Sequence, residues 1–194
     1  MKRAFALVLI VLLVSQPHAL AADAAAGSAT AEGCTGCHGD EGVSNMPLTP
    51  SLAGEPDDFI QWQLVYFRNG TRKSEVMGPI AEALSNEEIR NLGAYYASLP
   101  PPKPGPATAA DAPAQGGARL AMQRRCISCH GDDYAGVGPA ARLAGQREDV
   151  LLKALREFKA GTRVGSGVAS MADVVYDLSD ADMQALAHFM AMRD

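Results

Sequence analysis

Apolar residues recur at helical spacing in two stretches of the chain, and the two stretches match. Ile60, Leu64 and Phe67, and again Leu151, Leu155 and Phe158, fall at i, i+4 and i+7, which is one face of an α-helix. Each set begins beside an acidic residue (Asp57, Glu148) and ends before a glycine (Gly70, Gly161), where a chain readily turns out of a helix. Farther on, Ser85-Asn86-Glu87-Glu88 and Ser179-Asp180-Ala181-Asp182 read as capping boxes, in which the serine and an acidic side chain three residues later satisfy free backbone N–H groups. The helices they open turn Ile89, Leu92 and Tyr96, or Met183, Leu186 and Met190, inward. A short helix is expected before Cys34, mostly alanine, and another before Cys126, carrying Leu120 and Met122. No stretch alternates with the two-residue period of a strand, so the pattern predicts an all-α fold.

The matching extends beyond the helices. Pro47 and Pro139 each stand nine residues after a histidine, Leu52-Ala53-Gly54 returns as Leu143-Ala144-Gly145, and Phe67 to Arg72 returns 91 positions later as Phe158 to Arg163. A register kept over that length indicates internal duplication. Between the copies, Pro100 to Gln115 holds six of the twelve prolines and predicts an extended, semi-rigid connector. At the start, Lys2-Arg3 precedes an apolar run from Ala4 to Val14 and a small-residue stretch, Ala19-Leu20-Ala21. This reads as a secretory signal peptide cleaved near residues 21 to 23, its eleven apolar residues being short of the ~20 that span a bilayer. The expected division is therefore a leader at 1–22, a first domain at 23–99, a linker at 100–114 and a second domain at 115–194.

Domains of about 80 residues are marginal unless something staples them, and the cysteines suggest the staple. All four lie in Cys34-Thr35-Gly36-Cys37-His38 and Cys126-Ile127-Ser128-Cys129-His130, the order required for covalent haem attachment. Two thiols add to the porphyrin vinyl groups, and the adjacent imidazole of His38 or His130 lies beneath the ring as an iron ligand. A zinc half-site or a thioredoxin-type pair can also begin with Cys-x-x-Cys. No strand pattern surrounds these motifs, however, and the remaining histidines are only His18, in the leader, and His188. Two covalently bound haem c groups are expected, and export agrees with them.

The second axial ligand must come from methionine or histidine for the iron to be closed. Met46 lies only eight residues after His38, on a tether too short to reach the opposite face. Met122, Met183, Met190 and Met192 fall on helices, where filling the core is the simpler role. Met77 and Met171 remain, both expected in irregular segments between the middle and last helices, each seven residues before a leucine; they are assigned as the axial ligands. A carbonyl held at Pro47 and Pro139 could accept the imidazole N–H and raise its basicity, or these prolines could simply stiffen a loop. Arg72 and Arg163 could neutralise haem propionates or could be solvated.

With 17 basic and 22 acidic residues the chain is acidic, and loss of Lys2 and Arg3 with the leader leaves 15 against 22, which argues against nucleic acid as a partner. The imbalance sits in the first half: residues 23–103 hold 5 basic and 11 acidic residues, and 104–194 hold 10 and 11. Such a dipole can orient the molecule toward a charged partner, and ordinary solvated faces explain the same gradient equally well.

Taken together, the two Cys-x-x-Cys-His-Gly motifs, the Leu-Ala-Gly stretches, the Phe-x-x-Gly-Thr-Arg segments and the paired methionines resemble the dihaem cytochrome c4 family. The resemblance implies two tandem class I cytochrome c domains related by a pseudo-twofold axis, with their propionate edges near the interface. It also implies periplasmic electron shuttling between a donor complex and a terminal oxidase, with loose membrane association in some members. One departure stands out: the family's Leu-Ala-Gly-Gln is kept as Leu143 to Gln146, but the first copy ends in Glu55. A second is the aromatic four residues later, present as Phe59 but replaced by Val150. The leading expectation is an electron carrier without a small-molecule substrate. The alternatives are a dihaem subunit of a periplasmic dehydrogenase, or a haem enzyme such as a peroxidase or thiosulfate dehydrogenase, which would need one open iron.

Overall fold

The computed structural model describes residues 21–104, 112–165 and 167–194. Residues 1–20 of the expected leader and 105–111 of the expected linker lie outside the described residues. The first half forms α1 (Ala24–Ala31), α2 (Thr35–His38), α3 (Asp57–Arg68), α4 (Met77–Glu82) and α5 (Asn86–Ser98). The second forms α6 (Ala112–Gln123), α7 (Ile127–His130), α8 (Glu148–Lys159), α9 (Val168–Val175) and α10 (Asp180–Ala191). Among the described residues there is no β-strand, only an isolated bridge between Val137 and Ala140.

Both halves are built to one plan. The first helix crosses the last and the middle helix packs on the last, as α1 and α3 on α5 and as α6 and α8 on α10. The crossing depends on glycine. A Cβ at Gly27 would collide with the carbonyl of Asn91, and one at Gly117 with the carbonyl of Ala185, so only a bare Cα lets the two backbones touch. Ala31, Ile60, Leu92 and Tyr96 bury the first core; Ala121, Leu151, Val175, Leu178, Met183, Leu186 and Met190 bury the second. Ser85 with Glu88 and Ser179 with Asp182 both close complete capping boxes.

Three local expectations change. Met122 is 73% exposed because α6 turns Ala114, Gly117 and Ala121 toward α10, and Met122 lies 100° around the helix from Ala121. The segments expected to be irregular around Met77 and Met171 are the helices α4 and α9. The Ser74 hydroxyl accepts from the Met77 backbone N–H at 3.0 Å and so starts α4, and Pro79 falls in its first turn, where no N–H partner is needed. The third change is at the linker, whose last residues, expected to be extended through 114, already belong to α6. Pro113 again occupies a first helical turn. The part of the linker before the undescribed stretch is not free of the body: Pro101 lies against Gly54 and the Pro102 carbonyl against Gly145, so the chain leaves the first half between the two Leu-Ala-Gly segments.

If the helix crossing is the framework, Gly117→Val in the haem-loaded protein should lose roughly 1–3 kcal/mol through overpacking, read as a lowered Tm. Met122→Ala should stay within about 0.5 kcal/mol.

Candidate haem sites

Each Cys-x-x-Cys-His forms a single helical turn, α2 or α7, ending on the histidine. All four thiols are free, Cys34 and Cys126 half-buried and Cys37 and Cys129 exposed. The glycine after each histidine reverses the chain. Gly39 adopts φ 81°, ψ 164° and Gly131 φ 83°, ψ 159°, a conformation open in practice only to glycine, and a Cβ at Gly39 would strike the Val43 carbonyl.

That reversal brings a backbone carbonyl onto each ring. His38 Nδ1 lies 2.9 Å from the Pro50 carbonyl oxygen and His130 Nδ1 2.8 Å from that of Ala141. A carbonyl only accepts, so Nδ1 carries the proton and donates, leaving Nε2 with a lone pair for a metal. Burial pulls both imidazoles below their ordinary range, the carbonyl bonds opposing it, so both rings are neutral at pH 7 and competent as ligands. These acceptors correct the expectation at Pro47 and Pro139. Both prolines are exposed, and Pro47 O instead accepts from the Thr49 hydroxyl; they lie in the loop rather than against the ring. Pro50 and Ala141 occupy equivalent places two residues before Leu52 and Leu143.

The methionines separate by burial. Met46 is 43% exposed, while Met183 and Met190 are core residues at 4%. Met77 and Met171 are half-buried at matching points, each in the short helix that follows the middle helix. Met171 packs against the second core. His188 is engaged elsewhere, its Nδ1 2.9 Å from Glu148 Oε2.

Arg72 and Arg163 are half-buried, not solvated. Arg72 stacks over the Phe67 ring at 4.6 Å and Arg163 over the Phe158 ring at 4.7 Å. Both reach one acceptor, Gln63 Oε1, at 2.6 Å from Arg72 Nη1 and 3.5 Å from Arg163 Nη2. Burial, then the like charge of Arg163, pull the Arg72 guanidinium below its ordinary range, and Glu157 opposes them. Two crowded cations of this kind favour an anion between them.

This donor set fits haem. Each half presents two free thiols one turn apart and a buried neutral imidazole with Nε2 to offer, and two cations suited to carboxylates converge between the halves. It does not fit zinc: among the described residues no three His, Cys, Asp or Glu side chains are grouped to hold a metal ion.

Residues 114–193 match the Cytochrome c family and residues 21–95 the family described as cytochrome c oxidase, cbb3-type, subunit III. The chain is 36% identical over 179 residues to the thiosulfate dehydrogenase electron acceptor of Thiomonas intermedia, covering 86% of this chain and 81% of that protein. It is 30% identical over 191 residues to cytochrome c4 of Pseudomonas aeruginosa, covering 95% and 94%. The crystal structure of reduced cytochrome c4 from Pseudomonas stutzeri superposes with a TM-score of 0.79 at 27% identity, over 90% of this chain and all of that one. The chain belongs to the dihaem cytochrome c4 family. It is an electron carrier with two covalently bound haem c groups.

How the halves hold each other is not visible in the sequence. Gln146 is 5% exposed and grips the Ser51 backbone at both ends, Ser51 N–H donating to Oε1 and Nε2 donating to Ser51 O, each at 2.9 Å. Its counterpart Glu55, 3% exposed, takes the Arg142 backbone N–H on Oε2 at 2.8 Å, and Gln146 Nε2 reaches Glu55 Oε1 at 3.4 Å. Outside this pair, the Leu48 N–H donates to Asp149 Oδ2 at 2.8 Å and Arg147 Nη1 to Ser44 O at 3.3 Å. The only hint in the sequence was that Gln146 and Glu55 end the two Leu-Ala-Gly repeats.

Burial pushes the Glu55 carboxyl up to about 8 from its ordinary 4.5, against the Arg142 N–H, Gln146 and the charges of Arg142 and Arg163. The folded protein therefore holds a proton that the unfolded chain has released over that interval. Stability should fall as pH rises from about 4.5 to about 8 and then level off. Urea unfolding of the haem-loaded protein across this range should show that decline, and Glu55→Gln should flatten it.

Proposed function

We propose that this protein is a periplasmic carrier that takes electrons from a thiosulfate-oxidising dehydrogenase and passes them toward a terminal oxidase. In this reading residues 1–22 are a cleaved leader, and 23–99 and 115–194 each carry one haem. Cys34 and Cys37, and Cys126 and Cys129, hold the porphyrins; His38 with Met77, and His130 with Met171, hold the two irons. Haem c, when bound, supplies a one-electron Fe(III)/Fe(II) couple.

The observation that carries the reading is the duplication of the site: in both halves the imidazole offers Nε2, and a half-buried methionine follows in the equivalent helix. Met77 and Met171, as ligands, would leave no position for a substrate on either iron, and a soft thioether would favour the ferrous form. The Pro50 and Ala141 carbonyls lock both imidazoles in one orientation, so little rearrangement accompanies electron transfer. The donor class comes from the Thiomonas relative, which is named as the electron acceptor of thiosulfate dehydrogenase. The same name supports a second reading, a permanent dihaem subunit of that dehydrogenase; co-purification of the two at fixed stoichiometry would favour it. Among the described residues no helix is long and apolar enough to cross a membrane.

Mixing the oxidised protein with a thiosulfate dehydrogenase and thiosulfate should reduce both haems within one encounter series, with no thiosulfate oxidation by this protein alone; turnover by the isolated chain would overturn the carrier reading. Met171→Ala should open the second iron to cyanide, abolish half of the near-infrared methionine-to-iron band and lower that haem's potential by ~59 mV or more, a tenfold change in electron affinity. The first haem should be unaffected. Equal shifts at both haems would exclude independent ligation.

A further inference from the structure

We propose that Glu55 is a redox-linked proton site: although it belongs to the first half, it tunes the iron of the second, binding a proton when that iron is reduced and releasing it on oxidation. The inference rests on His130 being the ligand of the second iron.

One peptide group carries the connection. The carbonyl of the Ala141–Arg142 peptide accepts from His130 Nδ1 at 2.8 Å, and the N–H of the same peptide donates to Glu55 Oε2 at 2.8 Å. A negative charge on Glu55 polarises this peptide, makes its carbonyl a stronger acceptor and gives the imidazole more anionic character. A more basic imidazole favours ferric iron. The first half has the same relay with a different end: the Pro50 carbonyl accepts from His38 Nδ1 and the Ser51 N–H donates to Gln146 Oε1. Gln146 is neutral at every pH, so only the second iron is coupled to a titrating group.

Of the two oxygens, Oε2 is occupied by the Arg142 N–H at 2.8 Å, whereas Oε1 has only the long 3.4 Å contact from Gln146 Nε2 and is the one assigned the proton. Gln146 uses its oxygen as acceptor and its nitrogen as donor to Ser51 O. The equivalent of that nitrogen on Glu55 is Oε1, which can donate only when protonated. The groups facing Glu55 are the Arg142 N–H and guanidinium, the Gln146 amide and, from the loop after α8, the Arg163 guanidinium; Arg72 and Glu157 stand behind Arg163. Burial keeps the carboxyl titrating near neutral pH despite these two cations. The step balances: one electron enters at the iron from the redox partner as one proton enters at Oε1 from solvent, and both leave on reoxidation.

The test is redox titration of the holoprotein from about pH 6 to pH 9, with the two haems followed separately through the NMR signals of the Met77 and Met171 methyl groups. The second haem's electron affinity should fall with rising pH, by up to tenfold per pH unit at the steepest point, and the first should stay flat. Glu55→Gln should abolish the slope, and adding Gln146→Glu to that variant should place the slope on the first haem instead. Equal slopes at both haems, no slope at either, or a slope that survives Glu55→Gln would each overturn the proposal. If neither variant folds, the reduced-minus-oxidised infrared spectrum of the unaltered protein decides it: a carboxylic acid C=O band must grow on reduction of the second haem, and its absence refutes the idea. A second haem without a methionine-ligated spectrum would overturn the ligation reading as well, whereas a normal spectrum with a flat titration overturns this inference alone.

Discussion

The structure turns on two peptide groups. Pro50–Ser51 and Ala141–Arg142 each present a carbonyl to the histidine of their own half and an N–H to a buried side chain of the other half. A peptide is a rigid plane, so fixing its N–H fixes its carbonyl, and the carbonyl fixes the imidazole. The rings of His38 and His130 are therefore each oriented partly by the opposite half. Docking of the halves and shaping of the haem sites are one constraint, met by Gln146 in one direction and Glu55 in the other.

The helices serve this constraint from the other side. Gly27 and Gly117 let the first helix of each half lie directly on the last, and that contact sets where the chain enters the Cys-x-x-Cys-His turn. Gly39 and Gly131 then turn it back so that the loop bearing Pro50 or Ala141 passes beside the ring. Halves of this size bury too little apolar surface to be secure alone. Covalent haem and the reciprocal backbone grip supply what the small cores lack, and both act on the same few residues. The linker adds to this, leaving between Gly54 and Gly145 beside the residues that make the grip.

Much of the fold was legible because helical period and capping are local signals. Ile60, Leu64 and Phe67 mark one face wherever the helix packs, and Ser85 and Glu88 close their box without help from the rest of the chain. The haem motifs were equally legible, since their chemistry lies in five consecutive residues. What escaped depends on contacts distant in sequence. The carbonyl partners of His38 and His130 are backbone atoms with no residue signature, and Pro47 and Pro139, each nine residues after its histidine, are more conspicuous in the repeat than Pro50 and Ala141. Met122 seemed to belong with Leu120, but the crossing on α10 selects Ala114, Gly117 and Ala121 for the buried face. The repeat paired Arg72 with Arg163, yet their meeting at Gln63 required the two halves to be set face to face. Glu55 could be seen as a departure from its copy, though its meaning depended on what it touches.

Duplication creates a difficulty for a carrier with two centres, because identical halves have identical potentials and give an electron no preferred direction. Two of the differences between these halves lie where the halves meet. Gln63 corresponds to Ala154 in the second copy. One long amide can then sit between Arg72 and Arg163, where two of them would compete for the same space. Glu55 corresponds to Gln146, so the two relays end in a titratable acid and a neutral amide. Changes inside either core would risk the fold for a small electrostatic gain, and changes on the outer surface would be screened by salt within about 10 Å. At a buried interface neither limit applies: the packing is shared, the dielectric is low, and there Glu55 and Gln146, which differ by one oxygen in place of one nitrogen, give the two peptide relays different ends.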